Sequence, residues 1–318
     1  MKYRLKQIHC RPWVLGGMSL KLIESHYENN YGGALRRLNA IAEQLAALDY
    51  SEAPGYVING LKREELAALN STLLHELYFA SMGGDGTQPT EAMREALARD
   101  FGSYLRWRDQ FIAMGNALGG GSGWVLLTYV PRDSRLLNQY ASEHSQAIAG
   151  GVPILALDMY EHAYHMDFGA NAKAYVDTFM RCIDWSAAEG RYEDALKVVP
   201  PRPLLQPEFA DVPGVGVEDV QAMLKSGKPV QVIDARPRHY YTRQREIAAG
   251  VTWRDPERVQ EWMGELSKAD PVVVYCAYGF HVGCRTAIKL REAGFDASYV
   301  TSGHSGWKAL GGAMELQP

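Results

Sequence analysis

The sequence predicts two α/β domains in one chain, the first helical and then strand-bearing, the second built on a parallel sheet covered by helices on both faces. Three observations predict this. A chain of 318 residues suits two domains. Pro200, Pro201, Pro203, Pro207 and Pro213 crowd one short stretch, a spacing that forbids a helix and favours an extended linker. Before that stretch, helical patterns give way to strands after Gly119-Gly120-Gly121-Ser122-Gly123. After it, strands and helices alternate, as a parallel sheet requires. The expected domains are therefore residues 1–198 and 214–318, joined by a linker over 199–213.

Composition narrows the function. The hydrophobic fraction of 47% is ordinary for a globular protein. Thirty-three basic and 37 acidic residues leave a net charge of −4, with no basic field for nucleic acid and no charge-led attraction to a membrane surface. The start of the chain, Met1-Lys2-Tyr3-Arg4-Leu5-Lys6-Gln7, carries charges with no apolar core behind them, unlike a signal peptide. No apolar run approaches the length of a membrane span. Cys10, Cys182, Cys276 and Cys284 are too sparse for a disulfide scaffold. They are expected to stay reduced, in a cytoplasm.

Ser19 is a good N-cap for a helix over 20–48, with Gly32-Gly33 as a point of bending or breakage. His26, Asn30 and Ala34 share one face of it. Pro54-Gly55 and Asn59-Gly60 predict a loop over 49–61. A helix over 62–81 follows, with Leu66, Leu69, Leu73, Leu77 and Phe79 as its apolar stripe and His75 among them. An imidazole facing a core needs a hydrogen-bond partner or a metal. Residues 82–89 read as a Gly-rich connector, and helical patterns run over 90–101 and 103–118. Strands are predicted over 124–130, 135–141 and 152–157, then a helix over 172–183. Beyond the linker, helices are predicted over 217–225, 256–268, 285–293 and 305–310. Strands are predicted there over 230–234, 271–275 and 297–300.

The stretch Asp158-Met159-Tyr160-Glu161-His162-Ala163-Tyr164-His165 follows the apolar run 152–157 directly. Asp158 thus sits at the mouth of a buried strand, where a carboxylate needs a partner. Carboxylate oxygen plus imidazole suits Fe, Mn or Zn. The alternative is a strand-end Asp capping a turn beside a surface His. Asp-x-Tyr-Glu-His-Ala-Tyr resembles the Asp-x-Trp-Glu-His-Ala-Tyr signature of iron/manganese superoxide dismutases. Ser25-His26-Tyr27 followed by Leu38-Asn39, the run from Leu74 to Phe79, the Gly-Ser-Gly-Trp run ending at Trp124, and Asp184-Trp185 are similar to the same family.

The resemblance implies a helical hairpin followed by an α/β part. It also implies four metal ligands, His26, His75, Asp158 and His162, around one Fe or Mn per subunit, with Fe slightly preferred. With a solvent ligand the site is five-coordinate. The implied reaction is disproportionation of superoxide to oxygen and hydrogen peroxide. The outer shell departs from the family: its channel tyrosine maps to Ala34, the adjacent histidine to Asn30, and that histidine's partner across the dimer to His165. Its tryptophan after the ligand Asp is Tyr160. The glutamine that bonds the metal-bound solvent maps near Ser71 or near His144. Gln139 is a competing candidate, and spacing to Pro153 and Asp158 favours His144. Glu161 is implied to bridge to the partner's ligand histidine, making a homodimer through Glu161 and His162.

In the second domain, Val273-Val274-Tyr275-Cys276-Ala277-Tyr278-Gly279 reads as strand, cysteine and a short loop into a helix. Loop amides and a helix dipole favour a thiolate. This resembles the rhodanese active loop, as do Ile233-Asp234-Ala235-Arg236 and Gly303-His304-Ser305-Gly306-Trp307. It implies that Cys276 accepts sulfane sulfur from thiosulfate or a persulfide. His281 stands where the family has the loop-closing Arg, and Val282 where it has Ser; Cys284 reads as core. The reading is a superoxide dismutase fused to a sulfur-handling domain. The rivals are a metal-dependent persulfide or polysulfide redox enzyme and a metal- or sulfur-sensing module.

Overall fold

The computed structural model describes residues 2–8, 10–84, 86, 88–198, 207–244 and 246–316. The chain divides into two compact units, Met1–Arg202 and Pro203–Pro318. Of the expected linker, Pro200, Pro201 and Pro203 lie outside the described residues. Pro207–Phe209 forms a short turn, and Phe209 is buried in the core of the second unit.

The first unit begins with helix α1 (Leu20–Ser25), whose Ser19 Oγ accepts the Leu22 N–H at 3.1 Å. A π-helical segment (His26–Tyr31) joins it to α2 (Gly32–Ala46). Gly32 keeps helical dihedrals, so the glycine pair does not break the helix; the irregularity lies one turn earlier. Helix α3 (Gly55–Ala80) packs on α2 through Leu38, Ile41, Leu45 and Ala68.

Two expectations fail in α3. It starts at Gly55, so Asn59-Gly60 is helical and the loop ends at Pro54. A glycine inside a helix costs about 1 kcal/mol relative to alanine, and packing against α2 outweighs that local cost. The expected apolar stripe is also turned: Leu66 and Leu73 are 47% and 49% exposed. The buried face carries Ala68, Ser71, Thr72, Leu74, His75, Tyr78 and Phe79. That face is set by two neighbours, α2 against Ala68 and the main core of the unit around Leu74, Tyr78 and Phe79.

Helices α4 (Glu91–Phe101) and α5 (Tyr104–Ala117) start at side-chain caps from Thr90 and Ser103. Strands β1 (Trp124–Val130), β2 (Arg135–Ala141) and β3 (Val152–Asp158) form an antiparallel sheet in the order β2-β1-β3. Every residue of β1 is buried, because the central strand is covered on both faces. Trp124 pairs with Ala141 on one side and Asp158 on the other. A turn (Glu161–Ala163) and α6 (His165–Phe168) lead to α7 (Ala172–Cys182), which stops before extended Ile183 bridges to Met82. Helix α8 (Trp185–Leu196), capped by Asp184, was not anticipated.

The second unit contains β4 (Gly214–Val215), α9 (Val217–Lys225), β5 (Gln231–Asp234), α10 (Arg238–Tyr241), β6 (Glu246–Ala248) and β7 (Thr252–Trp253). It continues through α11 (Val259–Trp262), β8 (Val272–Tyr275), α12 (Val282–Glu292), β9 (Ala297–Val300), α13 (Gly303–Ala309) and β10 (Met314–Leu316). Five parallel strands run in the order β4-β9-β8-β5-β7, with β6 and β10 a separate antiparallel pair. Two apolar clusters, one including Ile233, Val272 and Val274, the other Val232, Val273 and Tyr275, draw alternate residues of β5 and β8 to opposite faces. The helix expected over 256–268 is only α11 and one further turn, since the Asp255 carbonyl takes the Trp262 indole N–H at 2.8 Å and folds the segment back. Among the described residues, no helix is long and apolar enough to cross a membrane.

Candidate functional site

Four distant pieces of the first unit meet at one point. His26 comes from the π-helical segment, His75 from α3, Asp158 from the end of β3, and His162 from the turn after it. One ligand-type atom from each lies within 4.8 Å of all the others. Asp158 Oδ2 is 3.2 Å from His26 Nε2, 3.3 Å from His162 Nε2 and 3.7 Å from His75 Nε2. The other carboxylate oxygen accepts the Tyr160 N–H at 2.9 Å, and the Asp158 carbonyl accepts the Tyr175 hydroxyl at 2.8 Å. The strand end is thereby held in one orientation.

His26, His75 and Asp158 are buried, and His162 is half-buried. His75 Nδ1 donates to the Ser71 carbonyl at 2.6 Å. The neutral ring then turns the Nε2 lone pair toward Asp158 Oδ2, beyond hydrogen-bond reach, and that nitrogen has no partner among the described residues. Two buried lone pairs facing each other call for a cation between them. Burial pushes His75 down to about 3, against the pull of Asp158. Burial alone would raise the Asp158 carboxyl, but the hydrogen bonds and charges of His162 and His26 outweigh it and hold it well below the carboxylate range. Burial lowers His26 as well as His75, and neutral imidazole with an ionised carboxylate is the pairing a metal needs.

A cavity of about 250 Å³ opens on this cluster, lined in part by Asn30, Ala34, Arg37, His75, His144 and His162. Asn30 and Ala34 both line this cavity. His144 Nδ1 accepts the Trp124 indole N–H at 3.0 Å, so the neutral ring keeps its hydrogen on Nε2. The ring stacks on Tyr160 at 4.7 Å and lies 6.2 Å from His75. Burial holds His144 below the ordinary imidazole range. Gln139 is elsewhere occupied: its oxygen accepts from Thr128 at 3.1 Å and its nitrogen donates to the Gln146 carbonyl at 3.1 Å. Ser71 reaches the centre through its carbonyl. His165 and Glu161 are exposed and line no part of the cavity.

Arg37 escaped the sequence reading. It follows His26 by eleven residues, about three helical turns, and this spacing was the available signal. Trp124 and Tyr175 also escaped, because each acts through a register set by the sheet.

In the second unit Cys276 ends the central strand β8 and is buried. Its carbonyl accepts the His304 N–H at 2.7 Å and the Ala277 carbonyl accepts the Ser305 N–H at 3.0 Å. A side chain on Gly279, at φ +78°, would meet the Val300 carbonyl, so only glycine lets the loop pass there. The N–H groups from Ala277 to His281 find no partner among the described residues. Arg236, fully buried, donates from Nε to Asp234 at 2.8 Å and from Nη2 to the Glu246 carbonyl at 2.8 Å; its Nη1 lies 3.2 Å from His304 Nδ1. That network is a structural brace beneath the loop. His281 has φ +55° and ψ −82°, the sparsely populated γ-turn region, at the start of α12. Cys284 is fully buried in the core, as expected.

Residues 89–191 match the family model for iron/manganese superoxide dismutases, C-terminal domain, and residues 216–310 that for the rhodanese-like domain. An iron superoxide dismutase of Cupriavidus metallidurans is 60% identical over 197 residues, 62% of this chain and 100% of that protein. A manganese superoxide dismutase of Haloferax volcanii is 32% identical, over 57% of this chain and 90% of its own length. An iron superoxide dismutase of Aquifex pyrophilus is 31% identical, over 59% and 91%. The chain belongs to the iron/manganese superoxide dismutase family. Its C-terminal unit is a rhodanese-like domain, so both expected resemblances and the expected fold class hold.

Within this superoxide dismutase fold the cluster fits the family's metal: three imidazoles, one carboxylate, and an orphaned, buried His75 Nε2 pointing at the gap. His144 and its Trp124 partner stand just outside the ligands. His144→Leu is therefore expected to lower superoxide decay by about 10–100-fold, the usual scale for partners outside the ligand set. Metal content, read by elemental analysis of the same preparation, should remain near one per chain. An unchanged rate and unchanged metal spectrum would remove His144 from the site.

Proposed function

We propose that residues 1–198 dismutate superoxide to oxygen and hydrogen peroxide, and that residues 214–318 carry sulfane sulfur on Cys276. The convergence of His26, His75, Asp158 and His162 on one point carries the first reading. A bound Fe or Mn, iron being favoured by the 60% identical relative, supplies the one-electron exchange. The chain's residues do the rest. The three imidazoles and Asp158 hold the ion, and Ser71 and Tyr160 orient two of those ligands through their backbones. The His144 Nε2–H offers a proton toward the cavity, and peroxide formation consumes protons. Tyr160 and Trp124 fix the His144 ring by stacking and by the indole hydrogen bond. Superoxide decay by the metal-loaded chain tests the reading; decay no faster than with free metal would end it.

Among the described lining residues, Arg37 is the one lysine, arginine or carboxylate, and it pairs with Glu64. An anionic substrate is drawn by a cation in a narrow approach. Arg37→Glu should slow superoxide decay by roughly tenfold at low salt, within the 10–10³ range of steered association. The gap to wild type should close toward about 1 M salt, where the screening length is about 3 Å. Glu64→Gln should act in the opposite direction. A salt-independent deficit in stopped-flow decay would assign Arg37 a packing role only.

Glu161 is exposed beside His162, and we assign it to a bridge with the partner subunit's centre in a homodimer. Glu161→Ala should dissociate at concentrations where wild type sediments as a dimer. An unchanged sedimentation coefficient on dilution would remove the bridge. The thiol chemistry at Cys276 needs a reduced cysteine, which supports a cytoplasmic location. Ala34 and Asn30 leave the approach open, which favours one second reading: oxidation of a larger sulfur anion at the metal. Sulfide-dependent oxygen uptake without superoxide decay would select it.

A further inference from the structure

The cavity beside Cys276 differs in character from the one over the metal ligands. It measures about 270 Å³ and is lined by Cys276 and, among others, Pro237, Tyr240, Tyr278, Phe280 and His281. Among the described residues, no lysine or arginine lines it. Of the arginines nearby in sequence, Arg236 pairs with Asp234, Arg238 with Asp255 and Arg285 with Glu208, and Arg243 is exposed and is not among the described lining residues. Tyr278 and Phe280 stand exposed in the loop as an aromatic rim.

We infer that the donor loading Cys276 is an organic persulfide, R–S–S–H, with an uncharged apolar body, and that small dianionic donors such as thiosulfate are excluded. This rests on the reading of the second unit as a sulfur carrier. A dianion entering this cavity sheds water without gaining a lysine or arginine from the described lining, which is costly. Its leaving group, sulfite, is again a dianion. An apolar R group instead buries carbon surface against Pro237, Tyr240 and Phe280. The single negative charge of the reacting sulfur is met by the unpartnered N–H groups of the loop.

In the transfer, the Cys276 thiolate attacks the outer sulfur of the donor. A new S–S bond forms to Cys276 while the donor's S–S bond breaks. The bonding pair leaves on the inner sulfur, which takes up the donor's proton. The products are the Cys276 persulfide anion and R–SH; no external oxidant or reductant takes part.

Benzyl persulfide, the persulfide of mercaptosuccinate and thiosulfate are presented at equal concentration to the reduced full-length chain, and Cys276 persulfide is followed by mass spectrometry. The first two share their reacting group and differ in body charge. Benzyl persulfide should load Cys276 at least about tenfold faster than the mercaptosuccinate persulfide, a difference equivalent to about 1.4 kcal/mol. His281→Arg should raise the ratio of loading from thiosulfate and mercaptosuccinate persulfide to loading from benzyl persulfide. Equal loading of wild type by the charged donors would overturn the inference and leave the sulfur-carrier reading standing. If no donor loads a Cys276 that still alkylates, the sulfur-carrier reading fails, and the inference with it.

Discussion

His75→Ala is expected to strip the chain of most of its metal. The imidazole is buried, its Nδ1 is tied to the Ser71 carbonyl at 2.6 Å, and its Nε2 has no other use among the described residues. No neighbour can take over: Ser71 faces the other ring nitrogen, and His144 is held by Trp124. Residues outside a ligand set already change metal affinity or activity by about 10–100-fold, so loss of a ligand should exceed that. Protein purified from its own host should retain under about a tenth of the wild-type metal by elemental analysis, with superoxide decay falling in proportion. Circular dichroism should show the same helix content, because the α2–α3 contact through Leu38, Ile41, Leu45 and Ala68 does not involve His75. Full metal occupancy in a folded variant would sink the assignment of His75.

Cys276→Ser should reduce sulfane transfer to a thiol or cyanide to background and leave superoxide decay at the wild-type rate. The oxygen is close in size, so the loop should persist: it is fixed by backbone bonds from His304 and Ser305 and by Gly279, not by the sulfur. What disappears is the nucleophile, since only a thiolate carries the sulfane sulfur as a persulfide. Both readouts come from one preparation, persulfide by mass spectrometry and superoxide by stopped-flow. Residual transfer would point to another cysteine. A parallel loss of superoxide decay would tie the two units into one reaction and defeat the division of labour proposed here.

Much of the candidate site was legible because its chemistry sits in short, dense patterns. Asp158 and His162 are four residues apart at the end of an apolar strand, and Cys276 ends another before a loop. Such features need no knowledge of distant contacts. His26 was visible only through family resemblance, since one histidine on a helix says little about where it points; His75 stood out as a polar residue in an apolar stripe, but only the resemblance made it a metal ligand. The apolar stripe of α3 was misread: leucines were counted, whereas the face was set by two neighbours, α2 and the main core of the unit. The loop expected over 49–61 failed beyond Pro54 because Asn59-Gly60 is a turn signal that packing overrode. Helix α8 carries few long apolar side chains and left a weak periodic signal.

By itself, the sequence determined the strands of the first sheet and the alternation that builds the second, while the ligand set and the sulfur loop came through family resemblance. The strands and the alternation follow from local side-chain chemistry and periods of two or 3.6 residues. Only the tertiary structure decided which atoms meet. It aimed the Nε2 of His75 at Asp158 by giving Nδ1 to Ser71, turned Gln139 to Thr128 and Gln146, and put Arg37 at the approach. It also left the Cys276 cavity without a lysine or arginine among its described lining residues. Those choices depend on helix rotation, strand register and competing hydrogen bonds between residues far apart in the chain. Because such contacts are settled by the sum of packing, no single stretch of sequence carries them.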